Sequence, residues 1–347
     1  MFSAKFILHE QLSQRQWDDF VESSAQGSLY ARTWFLNSSM PGWGAVVVSK
    51  DDRWQAVMPL RICQKYGIGY ALQPSFSQYL GVLFAPFLGK ANQIIHKKRE
   101  ILQTLIAALP ADIRLFSYNF SPEFDYFLPF LRNGFEMRPR MNLTLSLRRP
   151  LEQIVGDFST SILNHLKKAR QNGLSCREGT AIQVLSERML QYGFIRTVSE
   201  QQTLESLWRS AALQGRGFLL EVIGPDGQIQ CSGLFLIEKE KAVFVASALD
   251  RPKRQFGSNS LLVVEAIKKC KSLGINELDF KGSMLSSVEQ FFLGFNPQQV
   301  LYFNITRNRL GMLERIVYRA LKRHLYQPFF TTPGRNGTNR NASSIVS

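Results

Sequence analysis

Phe244-Val-Ala-Ser-Ala-Leu-Asp250, Arg251-Pro-Lys-Arg-Gln-Phe-Gly-Ser-Asn259 and the apolar-periodic run 261–270 decide how this chain reads. The first stretch has strand character, the second is a basic turn containing glycine and serine, and the third has helical periodicity. After Gly274 come Asn276-Glu-Leu-Asp-Phe-Lys-Gly-Ser283, an apolar segment around Phe291, and Val300-Leu-Tyr-Phe303. These predict strand, helix and strand. A turn that feeds a helix offers backbone N–H groups without intrahelical partners at the positive end of the helix dipole, a setting that favours a phosphate. Arg251, Lys253 and Arg254 stand just upstream, and Gln255, Gly257, Ser258 and Asn259 complete the turn. The same turn also fits an ordinary helix start capped by Ser258 or Asn259.

The 347 residues are enough for two domains of ordinary size, and 45% hydrophobic with 20% charged residues is a globular composition. No apolar run reaches the length of a membrane span, and residues 1–30 lack the basic start and apolar middle of a signal peptide. A cytoplasmic protein is expected. Cys63, Cys176, Cys231 and Cys270 are widely spaced, and His9, His96, His165 and His324 show no ligand spacing. Neither a disulfide framework nor a metal site is expected. The net charge of +15 favours an anionic partner: a nucleotide-like cofactor, tRNA, an anionic cell-wall precursor or a membrane surface. A dispersed, solvated basic face accounts for it equally well.

Working outward, residues 218–223, 229–237 and 242–249 form an antiparallel meander with a turn at Pro225-Asp-Gly227. A helical region covers 182–214, and a basic helix covers 159–171. Toward the N-terminus, helical spacing covers 14–37, and 43–50 with 54–62 make a hairpin about Asp51-Asp52. A third strand covers 66–73, a helix 91–109, a strand 113–118, a short helix 122–132 opened by Pro122, and an extended segment 135–147. A basic amphipathic helix is expected over 310–326, with a disordered tail over 327–347. Elements 99–147 and 261–306 match in order, with Phe130-Leu-Arg-Asn-Gly-Phe135 against Phe291-Phe-Leu-Gly-Phe295 and Asn142-Leu-Thr against Asn304-Ile-Thr. A duplicated domain accounts for this: a first domain over 1–149 and a second over 150–309.

The meander, basic turn, helix, strand, helix and strand resemble the second half of the GNAT superfamily of N-acyltransferases. Arg254-Gln-Phe-Gly257-Ser-Asn259 is similar to that family's pyrophosphate loop, with Asn259 in place of a small residue. Two such halves joined by Ser161-Ile-Leu-Asn-His-Leu-Lys-Lys-Ala-Arg-Gln-Asn-Gly173 resemble the Fem-type peptidyltransferases and their GNAT-like relatives. Leu278-Asp-Phe-Lys-Gly-Ser283 with Phe291 and Phe295 is similar to the Fem-type closing motif. Phe292 here takes that motif's lysine position and Asn296 its glycine position. The resemblance covers about residues 15–306. It implies an α+β fold with two tandem GNAT-like domains, each a mixed sheet flanked by helices. It also implies transfer of an acyl or aminoacyl group from acyl-CoA or aminoacyl-tRNA, with no permanently bound cofactor, to an amine on a small molecule or muropeptide-like envelope precursor.

Acyl transfer needs a polarised carbonyl, a neutral amine and a route for its proton. The strand before the turn, with Ser247, would supply a backbone N–H to the carbonyl, which requires no particular side chain. Asp279 and Lys281 flank Phe280, so in a strand they share a face. There Asp279 would take the amine proton and Lys281 would hold an anionic group, or the two form a structural ion pair. Glu221 is a charge within an apolar strand, either a general base or an outward-facing residue. Tyr30, Trp34, Gln73, Ser77, Gln78 and Tyr79 are acceptor-pocket candidates, with the aromatics equally suited to core. The terminal basic helix suits either an anionic membrane or packing against the second domain. A duplicated GNAT fold that binds an anionic ligand without turnover is the alternative to an enzyme.

Overall fold

The computed structural model describes residues 1–65, 67–250, 257–282, 286–311 and 314–315. Arg251, Lys253, Arg254 and Gln255 of the expected phosphate turn lie outside the described residues, as do most of the expected 310–326 helix and the tail beyond it. The chain forms two compact units, one from Met1–Arg140 with the stretch from Leu301, the other from Met141–Val300. These divisions differ from the 149/150 and 309/310 boundaries expected from the sequence, because two long strands each straddle a division.

The first unit carries, in order, β1 (Ser3–Leu8), α1 (Gln14–Ser23), α2 (Thr33–Ser39), β2 (Gly44–Lys50), β3 (Arg53–Leu60), β4 (Cys63–Lys65), β5 (Ile68–Leu72), β6 (Leu83–Phe84), α3 (Ala91–Ala107), β7 (Ile113–Phe120) and α4 (Leu128–Arg132). β8 (Glu136–Ser146) leads into the second unit. There follow α5 (Leu151–Gly156), α6 (Thr160–Gln171), β9 (Ser175–Gly179), α7 (Gln183–Gln191), α8 (Val198–Leu213), β10 (Gly217–Ile223), β11 (Ile229–Glu238), β12 (Lys241–Leu249), α9 (Ser258–Ser272), β13 (Glu277–Asp279) and α10 (Ser286–Leu293). β14 (Gln298–Asn308) returns to the first unit. This is an α+β protein with mixed sheets. No helix among the described residues is long and apolar enough to cross a membrane.

Local chemistry explains where the elements begin and end. Asp51 and Asp52 both take positive φ, 50° and 56°, the two-residue geometry a tight β2–β3 hairpin needs. The expected helix over 14–37 is broken instead. After α1 the chain folds so closely back that a Cβ on Gly27 would lie 1.9 Å from the Val21 carbonyl oxygen. Pro122 does not open a helix either; Phe124 turns into a ring cluster with Phe120 and Phe127, and α4 starts only at Leu128. Gly193, at φ 73°, separates α7 from the longer α8.

In the second unit the strand order is β8-β13-β12-β11-β10-β9, antiparallel throughout except for the parallel pair β12 and β13. One face of the sheet packs Phe218, Leu220, Val222 and Phe235 with Leu262, Ala266 and Ile267 of α9. Phe218, Phe235 and Phe244 stack across three strands, with centroids 4.9 and 4.6 Å apart. Phe235, fully buried at the centre, holds β10, β11 and β12 in one layer. Phe235→Ala is therefore expected to lower unfolding free energy by about 3–5 kcal/mol in urea titration. A loss under about 1 kcal/mol would show that the sheet does not depend on this stack.

Candidate active site

The candidate site is a fork in the second unit's sheet. β12 and β13 pair in parallel from Lys241↔Glu277 to Val243↔Asp279 and no further. β13 ends there, while β12 runs on to Leu249, paired with β11 through Cys231↔Leu249. On its other edge no strand among the described residues pairs with 244–249. Within that stretch Val245 is an extra residue between Leu234↔Ala246 and Phe235↔Phe244. Such a bulge re-aims backbone groups and is frequent beside active sites.

Why β13 stops is written in its turn. Lys281 and Gly282 take φ of 62° and 57°, and a Cβ on Gly282 would lie 2.4 Å from the Met141 carbonyl oxygen. The strand alternation expected to place Asp279 and Lys281 on one face thus fails at Lys281. Asp279 is buried to 1% exposure. Its Oδ1 accepts from the Lys281 backbone N–H at 2.7 Å and its Oδ2 from Asn142 Nδ2 at 3.0 Å. Burial raises the Asp279 pKa above the ordinary carboxylate value, outweighing the Lys241 charge and the two hydrogen bonds. Burial also lowers Lys281 to about 8, against the opposing attraction of Asp279. Asp279 is therefore a tied, interior carboxylate, not the cleft-facing group expected.

Asn142 is the residue that sequence reasoning missed as part of this site. It is 1% exposed, and its Oδ1 accepts from the Leu143 backbone N–H at 2.8 Å. A signal was present: Asn304 lies as far beyond Asn142 as Asp279 lies beyond Ser117. In the first unit Asn304 Nδ2 donates to Ser117 Oγ at 3.3 Å, matching the Asn142–Asp279 contact.

At the far end of β12, Asp250 is held by Arg188 at 3.0 Å, and the described chain resumes at Gly257. Gly257 takes φ 100° at the N-cap of α9, with no side-chain cap there. A Cβ on it would lie 2.1 Å from the His165 carbonyl oxygen and 3.0 Å from Ala169 Cβ, so α6 seats directly against this end of α9. Ser260 Oγ lies 3.3 Å from His165 Nδ1. Burial, with Lys168 adding to it, lowers the His165 pKa. Ser258 is buried in the first helical turn, and Asn259 Oδ1 accepts from Cys231 Sγ at 3.0 Å. Neither caps the helix from outside. Burial pushes the Cys231 thiol up to about 12, so it stays protonated.

The remaining candidates are placed elsewhere. Glu221 is buried rather than outward-facing and pairs with Arg177 Nε at 2.9 Å. It pairs across the strand with Ser232 and Arg177, one residue off the core positions Leu220 and Val222. Ser247 lies on β12 opposite Gly233. In the first unit, Gln73 Nε2 donates to Ser77 Oγ at 2.8 Å, and Gln73 Oε1 accepts from the Asn119 backbone at 3.0 Å. Tyr30 and Tyr79 are buried against each other, centroids 6.1 Å apart. Trp34 meets Phe35, and Gln78 is buried. Among the described residues no cluster of His, Cys, Asp and Glu can hold a metal.

No family model matches the sequence, and no curated protein matches it. Solved structures do. The chain is similar to FemX at 14% identity and TM-score 0.59, over 90% of this chain and 99% of that one. It is similar to a tandem GNAT protein from the clavulanic acid biosynthesis pathway at 10% identity and TM-score 0.55, over 89% and 99%. It is also similar to L-PGS from Bacillus licheniformis at 10% identity and TM-score 0.51, over 88% and 95%. The chain thus shares a tandem GNAT fold with these structures.

Proposed function

We propose that the second unit is the transfer unit of an N-acyltransferase, moving an acyl or aminoacyl group from a phosphate-bearing donor to an amine. The observation that carries this reading is the fork, where β12 beyond Val243 has no strand on its β13 side among the described residues. A donor carbonyl laid along that edge accepts a backbone N–H, which stabilises the oxyanion as the amine attacks. The C–N bond forms, the donor's C–S or C–O bond breaks, and the departing thiol or hydroxyl takes up a proton. The donor phosphates fall to the start of α9 and to Arg251, Lys253 and Arg254, as in the resemblance.

The roles shift from those read in the sequence. Asp279, buried and tied on both oxygens, is a positioning residue that fixes the turn ending β13. The amine proton passes to Lys281, whose value of about 8 suits a base near neutral pH. Glu221 is committed to Arg177, and the protonated Cys231 gives no covalent acyl-enzyme. Acyl-CoA and aminoacyl-tRNA are the two donor classes, and a cell-envelope precursor is the acceptor class the resemblance suggests. The burial of Asp279 favours a second reading, a binding module for an anionic ligand without turnover.

Titration calorimetry with acetyl-CoA, longer acyl-CoAs and a non-hydrolysable aminoacyl-tRNA tests the donor. Arg251→Glu with Arg254→Glu is expected to weaken the bound donor by about tenfold or more, or about 1.4 kcal/mol. Gly257 is left alone, because any side chain there meets the His165 carbonyl. No binding by any donor, or none lost in the variant, overturns the phosphate turn. Donor binding without product in mass spectrometry across amine acceptors selects the module instead.

Lys281 makes the pH dependence specific. Its neutral form is the base, so turnover is expected to rise with pH through about 8 and level off above. Lys281→Met should lower turnover and abolish that rise, and Lys281→Arg should not restore it. Because folding depresses this pKa, its contribution to stability is present above the ordinary lysine value and is lost as pH falls through about 8. A wild-type rate flat from pH 7 to 9 with chemistry rate-limiting would remove Lys281 from the proton route.

A further inference from the structure

In the first unit a guanidinium stands where the second unit has a core leucine. The match of Asn304-Ile-Thr with Asn142-Leu-Thr sets Arg307 against Leu145, and the strand pairing agrees. Leu145 lies opposite Leu278, and both belong to the second unit's core. Arg307 lies opposite Phe116, and the same chain distance separates Phe116 from Leu278 as Leu145 from Arg307. Cross-strand partners share a face of the sheet, so Arg307 enters the interior beside Phe116. It is 7% exposed. Its Cζ lies over the Phe135 ring, 4.2 Å from the centroid, and Phe135 meets Phe116 edge-on at 5.4 Å. Burial, with Arg309 adding to it, lowers the Arg307 pKa to about 10, so the group is charged at neutral pH.

That buried charge has no counter-ion. Its Nε is buried without an acceptor, and no carboxylate among the described residues pairs with it. The residues outside the described ones contain no Asp or Glu. Glu136, next to Phe135, is held by Arg138 at 2.9 Å, and Glu314 by Arg114 at 2.8 Å. An interior cation is costly unless something pairs with it, and a leucine fills the equivalent place in the second unit at no such cost. The Phe135 ring covers one side of the charge. The N–H groups lie in the guanidinium plane and still need acceptors.

Two N–H groups on one edge of a guanidinium match the two oxygens of a carboxylate. A buried phosphate would keep further oxygens with no donor to meet them. The rings of Phe116 and Phe135 suit an apolar remainder on the same ligand. A group 7% exposed is out of reach of a folded partner's surface, so the ligand is small. We propose that the first unit holds a site for a small monocarboxylate with an apolar tail, bound side-on by Arg307 beside Phe116 and Phe135. This site and the transfer reading stand apart, and neither needs the other.

The test is nitrogen-15 correlation spectroscopy of arginine Nε–H groups on the labelled full chain. Sodium acetate, butyrate and benzoate are titrated in turn, with butyramide, chloride and inorganic phosphate as controls. The expected result is a saturable shift of the Arg307 Nε–H signal with at least one carboxylate and none with butyramide or chloride. The same carboxylate is expected to raise the thermal midpoint of the wild type and to leave that of Arg307→Leu unmoved. Arg307→Lys keeps a charge without the fork and is expected to weaken binding about tenfold. The wild-type titration needs no variant to fold, since its signals are assigned through bonds. Silence with all three carboxylates overturns the site. So does an equal shift with chloride, which reports ionic strength alone, or a saturable shift with phosphate and no carboxylate. Undiminished affinity in Arg307→Lys overturns the side-on fork.

Discussion

A carboxylate sealed inside the second unit, tied by one side-chain amide and one backbone N–H, fixes where its sheet divides. Asp279 cannot leave its place without freeing Asn142 Nδ2 and the Lys281 N–H together, and Asn142 is itself locked by Leu143. Removing one partner of a buried hydrogen bond strands the other, and that is the expensive outcome. The turn at Lys281 and Gly282 is therefore held at positive φ, β13 ends at a defined residue, and β12 is left to run on without it. That one anchored group leaves 244–249 of β12 with no strand on this edge among the described residues.

The first unit shows the same plan closed off. Its parallel pair, β5 and β7, extends to Leu72↔Ser117, and Ser117 holds the place that Asp279 holds in the other copy. Beyond it the chain laces the β7 edge shut. The Gln73 N–H donates to the Ser117 carbonyl, the Leu80 N–H to the Asn119 carbonyl, and Gln73 Oε1 takes the Asn119 N–H. Gly81, at φ 122° against the Phe120 ring, allows the chain to leave this lacing. On the transfer reading, the unpaired stretch of β12 offers a carbonyl more than this hydrogen-bonded edge of the first unit does.

Much of this was legible in the sequence, and what was not has a physical reason. The Asp51-Asp52 hairpin, the meander and the helix after Gly257 follow from turn chemistry and periodicity, which are local. The end of β13 was not legible, since a lysine does not announce a left-handed backbone; Asp279 accepts the Lys281 N–H there while a distant residue, Asn142, holds its other oxygen. The break in the 14–37 helix comes from the tight return at Gly27, and apolar spacing continues across it. Asn142 read as part of a weak internal match because its partner stands far away in the chain. Glu221 read as outward or catalytic because Arg177, which neutralises it, lies in β9, a strand the periodicity did not single out.

On the transfer reading, spacing along β12 bears on the donor. Asn259 touches Cys231, and Cys231 is paired with Leu249, so the first turn of α9 stands at the Leu249 level of the sheet. The fork opens at Val243, six residues back and across one bulge, or about 17–20 Å at strand rise. A donor with its phosphates at α9 and its carbonyl deep in the fork needs a long uncharged arm between them. Acyl-CoA has such an arm, whereas the ester carbonyl of an aminoacyl-tRNA sits one ribose from its nearest phosphate. Phe292 stacks on Phe280 at 4.7 Å and turns toward Phe244 at 6.0 Å, and all three rings are buried in the core of the second unit. A lysine in that position would have to bury its ammonium between them.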